Sequence, residues 1–142
     1  CEGRFQILHL IGKGAFSQVW KALDTRSGSH VAVKFEDYED EEQALQLEDE
    51  ARLLKECICK PSQPRGFPEV IEFGDIGHFC FMVCDLLGPS LGDLLESSSN
   101  PLGAVVGHFE PPVVASLAVQ MLSRLAWLHS KGVLHRDIKP EN

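Results

Sequence analysis

The chain has 142 residues, 44% of them hydrophobic, which is enough for one modest domain with a packed core and is outside the composition of a disordered segment. Its formal net charge of −8 argues against nucleic acid or an anionic membrane as partner, since both call for clustered Lys and Arg. The longest apolar runs, Phe79–Cys84 and Val113–Val119, are too short to span a bilayer.

Cys1 stands at the start in place of Met, with no basic-then-apolar leader, so the chain is expected to be an excerpt of something longer. The five cysteines are Cys1, Cys57, Cys59, Cys80 and Cys84. They include no Cys-x-x-Cys pair or matching His spacing, so neither a zinc site nor a disulfide framework is expected. Reduced thiols acting as small hydrophobes are expected instead, as in an intracellular (cytoplasmic or nuclear) protein.

Strands come first and helices later. Phe5–Gly12 and Gln18–Leu23 are apolar-rich runs separated by a glycine-containing turn, and Asp24–Ser29 reads as a second turn before a third strand, Val31–Phe35. An acidic stretch, Glu36–Glu42, reads as a solvated loop leading into a helix from about Gln43 to Cys57, which Pro61, Pro64 and Gly66 end. Strands near Val70–Phe73 and Phe79–Leu86 follow, with Gly74–Gly77 turning between them. Ser90–Glu96 suits a short helix and Ser97–Gly107 a loop. A long helix opens at Pro112 and runs to about Ser130. Val114, Ala118, Met121, Leu125 and Leu128 lie on one face of it, which predicts a core helix.

The first chemical feature is Gly12-Lys13-Gly14-Ala15-Phe16-Ser17-Gln18-Val19. Glycines at a strand-to-strand turn let backbone N–H groups approach phosphates without interference from Cβ, although most Gly-x-Gly turns are ordinary hairpins. A P-loop or a dinucleotide fingerprint would open a helix, whereas Val19–Leu23 reads as extended. In the third strand, Ala32 and Lys34 share a face. On the helix that follows, Leu47, Ala51, Leu54 and Ile58 form an apolar stripe flanked by Leu53 and Cys57, and Glu50 falls inside it. An inward-facing carboxylate needs a cation, and Lys34 is the candidate; Glu48 is the fallback if the helix is rotated.

The most specific feature is His135-Arg136-Asp137-Ile138-Lys139-Pro140-Glu141-Asn142. With the glycine-rich turn and Val31-Ala32-Val33-Lys34, it makes the whole chain resemble the protein kinase superfamily. Leu86-Leu87-Gly88-Pro89-Ser90-Leu91 and His129-Ser130-Lys131-Gly132 are similar to the casein kinase I group. The resemblance implies an α+β fold: a five-stranded antiparallel N-lobe sheet with one regulatory helix (1–84), a hinge (85–88), and the first helices and catalytic loop of an incomplete helical C-lobe (89–142). It also implies ATP and Mg2+ as cofactors and protein substrates as partners.

Carried over by residue, the resemblance has Gly12 and Gly14 covering the phosphates, Ile11 beside them, and Val19 and Ala32 walling the adenine. Lys34, held by Glu50, would contact the α- and β-phosphates. Cys84 would stand behind the adenine as gatekeeper, with the backbones of Asp85 and Leu87 on the adenine edge. Asp137 would accept the substrate hydroxyl proton, Lys139 would neutralise the transferring phosphate, and Asn142 would hold a magnesium ion. Lys139 at this spacing implies a serine/threonine kinase.

Ser17 departs from the family pattern by replacing the third glycine of the phosphate loop. The Asp-Phe-Gly magnesium ligand and the activation loop are also absent from these residues. Activity of the chain by itself is therefore not expected. The competing expectation is a non-catalytic pseudokinase or scaffold that binds nucleotide or a partner.

Overall fold

The structure, a computed structural model, describes residues 3–14, 17–37, 41–55, 66–97 and 107–142, with the backbone alone for 41–46. The chain divides into two compact units, Cys1–Leu87 and Gly88–Asn142.

The first unit holds strands β1 (Phe5–Lys13), β2 (Ser17–Asp24) and β3 (His30–Asp37), helix α1 (Glu41–Leu53), and strands β4 (Val70–Ile76) and β5 (Phe79–Asp85). They form a five-stranded sheet of order β1-β2-β3-β5-β4 in which each pairing is antiparallel. The Asp24–Ser29 turn closes through the Asp24 and Gly28 amides, with Gly28 at φ 72°.

Two expectations about this sheet are corrected. Gly74 lies inside β4 rather than in a turn, and the chain reverses at Gly77, where φ is 63°. A Cβ on Gly74 would sit 3.2 Å from the ring of Phe81 directly opposite, so that glycine serves close ring packing. Glu36 and Asp37, expected in a loop, belong to β3, where the ladder sets them against Cys80 and Phe79 of β5.

Directly opposed residues point to the same side of a sheet. The register therefore places Val19, Lys34, Met82 and Phe73 in one row of one face. Lys21, Ala32, Cys84 and Val70 form the row on one side of it, and Ser17, Glu36, Cys80 and Asp75 the row on the other. Helix α1 covers the β4–β5 part of this face, burying Leu47 and Ala51 against Val70, Cys80 and Met82, with Leu54 and Phe73 at the margin. Cys57 and Ile58 of the expected stripe lie outside the described residues.

The opposite face has its own core of Ala22, Val31, Val33, Phe81 and Val83, flanked by Phe5, Phe35 and Ile71. What closes it is Arg4. Its guanidinium forks onto Asp24, with Nε–Oδ1 3.1 Å and Nη2–Oδ2 2.8 Å, and also donates to Glu72 Oε2 at 3.0 Å. Arg4 precedes β1 and Glu72 sits on β4, so the ion pair joins opposite edges of the sheet. Four strand spacings in a flat sheet amount to roughly 19 Å, beyond the reach of an arginine. The sheet is therefore strongly curled, and the second core lies inside the curl.

The second unit contains α2 (Leu91–Glu96) and α3 (Pro111–Ser130), followed by the segment Lys131–Asn142. Ser90 caps α2 in a reciprocal box: its Oγ accepts from the Asp93 amide at 3.0 Å, and Asp93 Oδ2 accepts from the Ser90 amide at 2.8 Å. Helix α3 starts with prolines in its first turn and stops at Gly132, whose φ of 76° and amide bond to the His129 carbonyl turn the chain away. Leu128 is its buried side chain and Leu125 is half-buried, whereas Val114, Val119, Met121 and Leu122 are exposed. The stripe read as a core face is thus only partly covered by the described residues. The described part of this unit offers a 20-residue helix little to pack on besides the 6-residue α2 and one loop.

Two outcomes follow from this packing. Leu47 is fully buried, so Leu47→Ala should destabilise the first unit by about 2–5 kcal/mol, read by chemical denaturation. The Arg4 guanidinium holds the Asp24 carboxyl well below the usual carboxylate range, against the opposing effect of burial. Because the folded value is depressed, this stabilisation is present above the unfolded value near ~3.9 and fades as pH falls below it. Asp24→Asn should lower the thermal midpoint at pH 7 and flatten its fall below about pH 4.

Candidate active site

The first site element is a cation on the helix-bearing face of the sheet. Lys34 Nζ lies 2.7 Å from Glu50 Oε2 and 3.1 Å from Glu36 Oε1. Burial pulls the Lys34 ammonium down, but the Glu50 bond and then Glu36 outweigh it, and the net shift is upward. Glu50 therefore meets Lys34 as the helical wheel predicts. It does so from the rim of α1, with 44% of its side chain exposed, and is not the buried carboxylate expected from the stripe. Glu48 is exposed.

The glycine turn is tight. The Gly14 amide donates to the Ser17 carbonyl at 2.8 Å, and a Cβ on Gly14 would come within 3.1 Å of Ser17 Oγ. Gly12 faces Val19 across the β1–β2 ladder, and a Cβ there would rest at 3.6 Å from Val19 Cβ, an ordinary contact. Gly14 is thus the more crowded of the two positions, and its N–H is engaged within the turn. Ala15 and Phe16, at the tip, lie outside the described residues. Ile11 is exposed on β1, Val19 is half-buried and Ala32 is buried.

On β5, Cys84 is directly opposite Ala32. Burial first, then the charges of Asp85 and Glu50, push its thiol up to about 11, with Lys34 opposing, so it is a neutral free thiol. The Asp85 amide donates to the Glu69 carbonyl at 3.2 Å, and Asp85 Oδ2 accepts from the Glu69 amide at 3.0 Å. Leu87, two residues on, is exposed.

The second site element lies in the other unit. Lys139 Nζ is 2.9 Å from Asp137 Oδ2. Asn142 Nδ2 donates to the same Oδ2 at 2.8 Å and to the Asp137 carbonyl at 2.7 Å. The bonds from Lys139 and then Asn142 hold the Asp137 carboxyl below its ordinary value, and Asp137 in turn raises Lys139. The backbone around the aspartate is set by Arg136, a non-glycine residue at φ 64°, and by an Asp137 amide bond of 3.3 Å to His135 Nδ1. The Asn142 amide nitrogen is committed to Asp137, and its Oδ1 remains as a hard oxygen donor.

Two contributors were not read from the sequence. Glu36 was assigned to a solvated acidic run, yet at two residues from Lys34 it shares that strand face; a third strand extended by one more residue would have revealed it. Gly92 braces the segment that carries Asp137: its amide donates to the Pro140 carbonyl at 2.7 Å, and a Cβ would stand 3.3 Å from Glu141 Cγ. No local signal distinguishes that glycine from any other in a short helix.

The first unit thus gathers Lys34, Glu50 and Glu36, and the second gathers Asp137, Lys139 and Asn142. The Protein kinase domain family matches residues 5–142. Casein kinase I homolog 2 of Schizosaccharomyces pombe is 36% identical over 138 residues, covering 97% of this chain and 29% of that protein. The chain accordingly spans less than a third of the length of this curated relative. A match over nearly all of the chain, together with a five-stranded antiparallel sheet, means that it belongs to the protein kinase domain family.

Proposed function

We propose that this chain supplies the nucleotide-gripping and proton-accepting parts of a protein kinase that transfers the γ-phosphoryl group of ATP to serine or threonine of protein substrates. The observation that carries this is the pairing of Lys34 with Glu50 at 2.7 Å, in a chain that also gathers Asp137, Lys139 and Asn142. In this reading residues 1–84 are the N-lobe, 85–88 the hinge, and 89–142 the start of the C-lobe.

Lys34 donates to the α- and β-phosphate oxygens while Glu50 keeps its ammonium charged and in place. Gly12 and Gly14 let the turn close over the phosphates, and Ile11, Val19 and Ala32 give the adenine an apolar wall. Cys84 backs the adenine as a neutral thiol. With the Asp85 amide bonded to Glu69, its carbonyl is the group for the adenine edge, together with the Leu87 backbone. Asp137, kept ionised by Lys139 and Asn142, orients the attacking hydroxyl and accepts its proton. Lys139 then neutralises charge on the transferring phosphate, a role that goes with serine/threonine acceptors.

Among the described residues no group of three or more His, Cys, Asp or Glu could hold a metal ion. Magnesium is commonly shared between a few protein oxygens, substrate phosphates and water. Asn142 Oδ1 fits one position of such a shell. When bound, the ion would neutralise phosphate charge. No helix among the described residues is long and apolar enough to cross a membrane. The reading includes an intracellular setting and no nucleic-acid partner, in keeping with the net charge of −8.

In the full-length protein, Lys34→Met should lower phosphotransfer roughly 10²–10³-fold while thermal unfolding stays cooperative. A variant with near wild-type rates would remove Lys34 from the mechanism. Asp137→Ala should abolish transfer yet leave nucleotide affinity within about twofold, because its role is in the transition state. Phosphoamino-acid analysis should yield phosphoserine and phosphothreonine; phosphotyrosine as the main product would overturn the acceptor assignment.

A further inference from the structure

We propose that Glu36 is a second, strand-borne positioning residue for Lys34, fixing the ammonium so that its remaining N–H is directed at the nucleotide phosphates. The proposal rests on the kinase reading above and deepens it.

The donor count comes first. A lysine ammonium has three N–H donors on a freely rotating stem. One anchor leaves the other two donors free to swing about the bond to it. Two anchors set the direction of the third. In this structure the anchors are Glu50 Oε2 at 2.7 Å and Glu36 Oε1 at 3.1 Å, which leaves one donor for a phosphate oxygen.

The two anchors differ in kind. Lys34 and Glu36 are neighbours on one face of β3, and the ladder holds both between β2 and β5: Val19 and Met82 oppose Lys34, and Ser17 and Cys80 oppose Glu36. Their spacing is therefore a property of the strand. Glu50 comes from α1, whose hold on the sheet is the packing of Leu47, Ala51 and Leu54. The shielding differs as well. Glu36 keeps 16% of its side chain exposed against 44% for Glu50, so the longer bond is the less screened one. Both partners raise the Lys34 ammonium against the effect of burial.

Charge balance predicts where the effect of removing Glu36 will appear. One ammonium faces two carboxylates, so Glu36 adds no attraction for an incoming phosphate. Its loss should leave ATP binding unchanged or slightly tighter and should damage the step that needs a directed donor. A residue with a purely structural role would lower stability without separating kcat from KM in this way.

The test uses the full-length protein with magnesium. Lysine labelled with 13C at Cε reports the Lys34 titration by NMR, assigned by its loss in Lys34→Met. AMP-PNP titration and steady-state ATP hydrolysis report binding and turnover. Glu36→Gln should lower the Lys34 titration midpoint and reduce kcat about tenfold, with the KM for ATP within about twofold. Glu36→Asp, which keeps the charge but shortens the reach, should show the same kcat loss. Because either anchor alone leaves the donor free to rotate, Glu36→Gln combined with Glu50→Gln should lose less than the product of the single losses. An unchanged Lys34 midpoint, an unchanged kcat, or strictly multiplicative losses would overturn the proposal while leaving the kinase reading intact. A wild-type protein that neither binds AMP-PNP nor hydrolyses ATP would overturn the kinase reading itself, and this proposal with it.

Discussion

A half-buried ammonium on a sheet face is costly unless carboxylates accompany it. Lys34, with 22% of its side chain exposed, is in that position, and much of the first unit can be understood as the means of keeping it there. β3 sits in the middle of the sheet, so the lysine backbone is held on both sides by ladders. The face it occupies is shared between α1 and the small side chain of Ala32. Leu47 and Ala51 seat the helix on β4 and β5, and that seating delivers Glu50 to the lysine. The opposite face pins the same strand from behind through Val31 and Val33, inside a curl that Arg4 closes between Asp24 and Glu72. An interaction far from the lysine thus restrains the strand that presents it.

The second unit solves a different problem. Its cluster of Asp137, Lys139 and Asn142 is short in sequence, so local backbone geometry has to make the side chains converge. Arg136 takes a left-handed φ to do so, a conformation costly for a residue with a Cβ and tolerable where the surroundings enforce it. The far end of the same segment is held by α2. Its Ser90–Asp93 box fixes the first turn, and Gly92 in that turn comes close enough to bond the Pro140 carbonyl. A Cβ at Gly92 would stand 3.3 Å from Glu141 Cγ and 3.4 Å from its Cα, so Glu141 would have to give way by a few tenths of an ångström.

Much of this was legible in the sequence where a periodicity combined with a chemical requirement. Period two placed Ala32 and Lys34 on one face, the helical wheel placed Glu50 on the side toward the sheet, and the pairing joined the two. The same reasoning missed Glu36 because composition outweighed periodicity: a run of acidic residues reads as solvent-exposed, although its first two members, Glu36 and Asp37, still belong to the strand. Gly74 was misread because glycine reports a need for space as readily as a turn, and only the ring of Phe81 opposite decides between them. For α3, the apolar stripe was real, but a stripe says that a surface is suited to burial, not which residues bury it. The Arg4 closure and the Gly92 brace depend on contacts between distant positions that carry no local signature.

The two clusters also rest on different physics. Around Lys34 the pair with Glu36 is shielded, at 16% exposure, while Glu50 keeps 44% of its side chain exposed, and two carboxylates over-neutralise one cation. Around Asp137 the pair is open, with 62% of the aspartate and 47% of Lys139 exposed and one charge of each sign. Exposed pairs are screened within a Debye length of about 8 Å at physiological ionic strength and contribute little to stability. The Asp137 cluster therefore owes its arrangement to backbone geometry and to the amide of Asn142, which salt does not weaken. The Lys34 cluster owes its arrangement to charge held in a poorly solvated place.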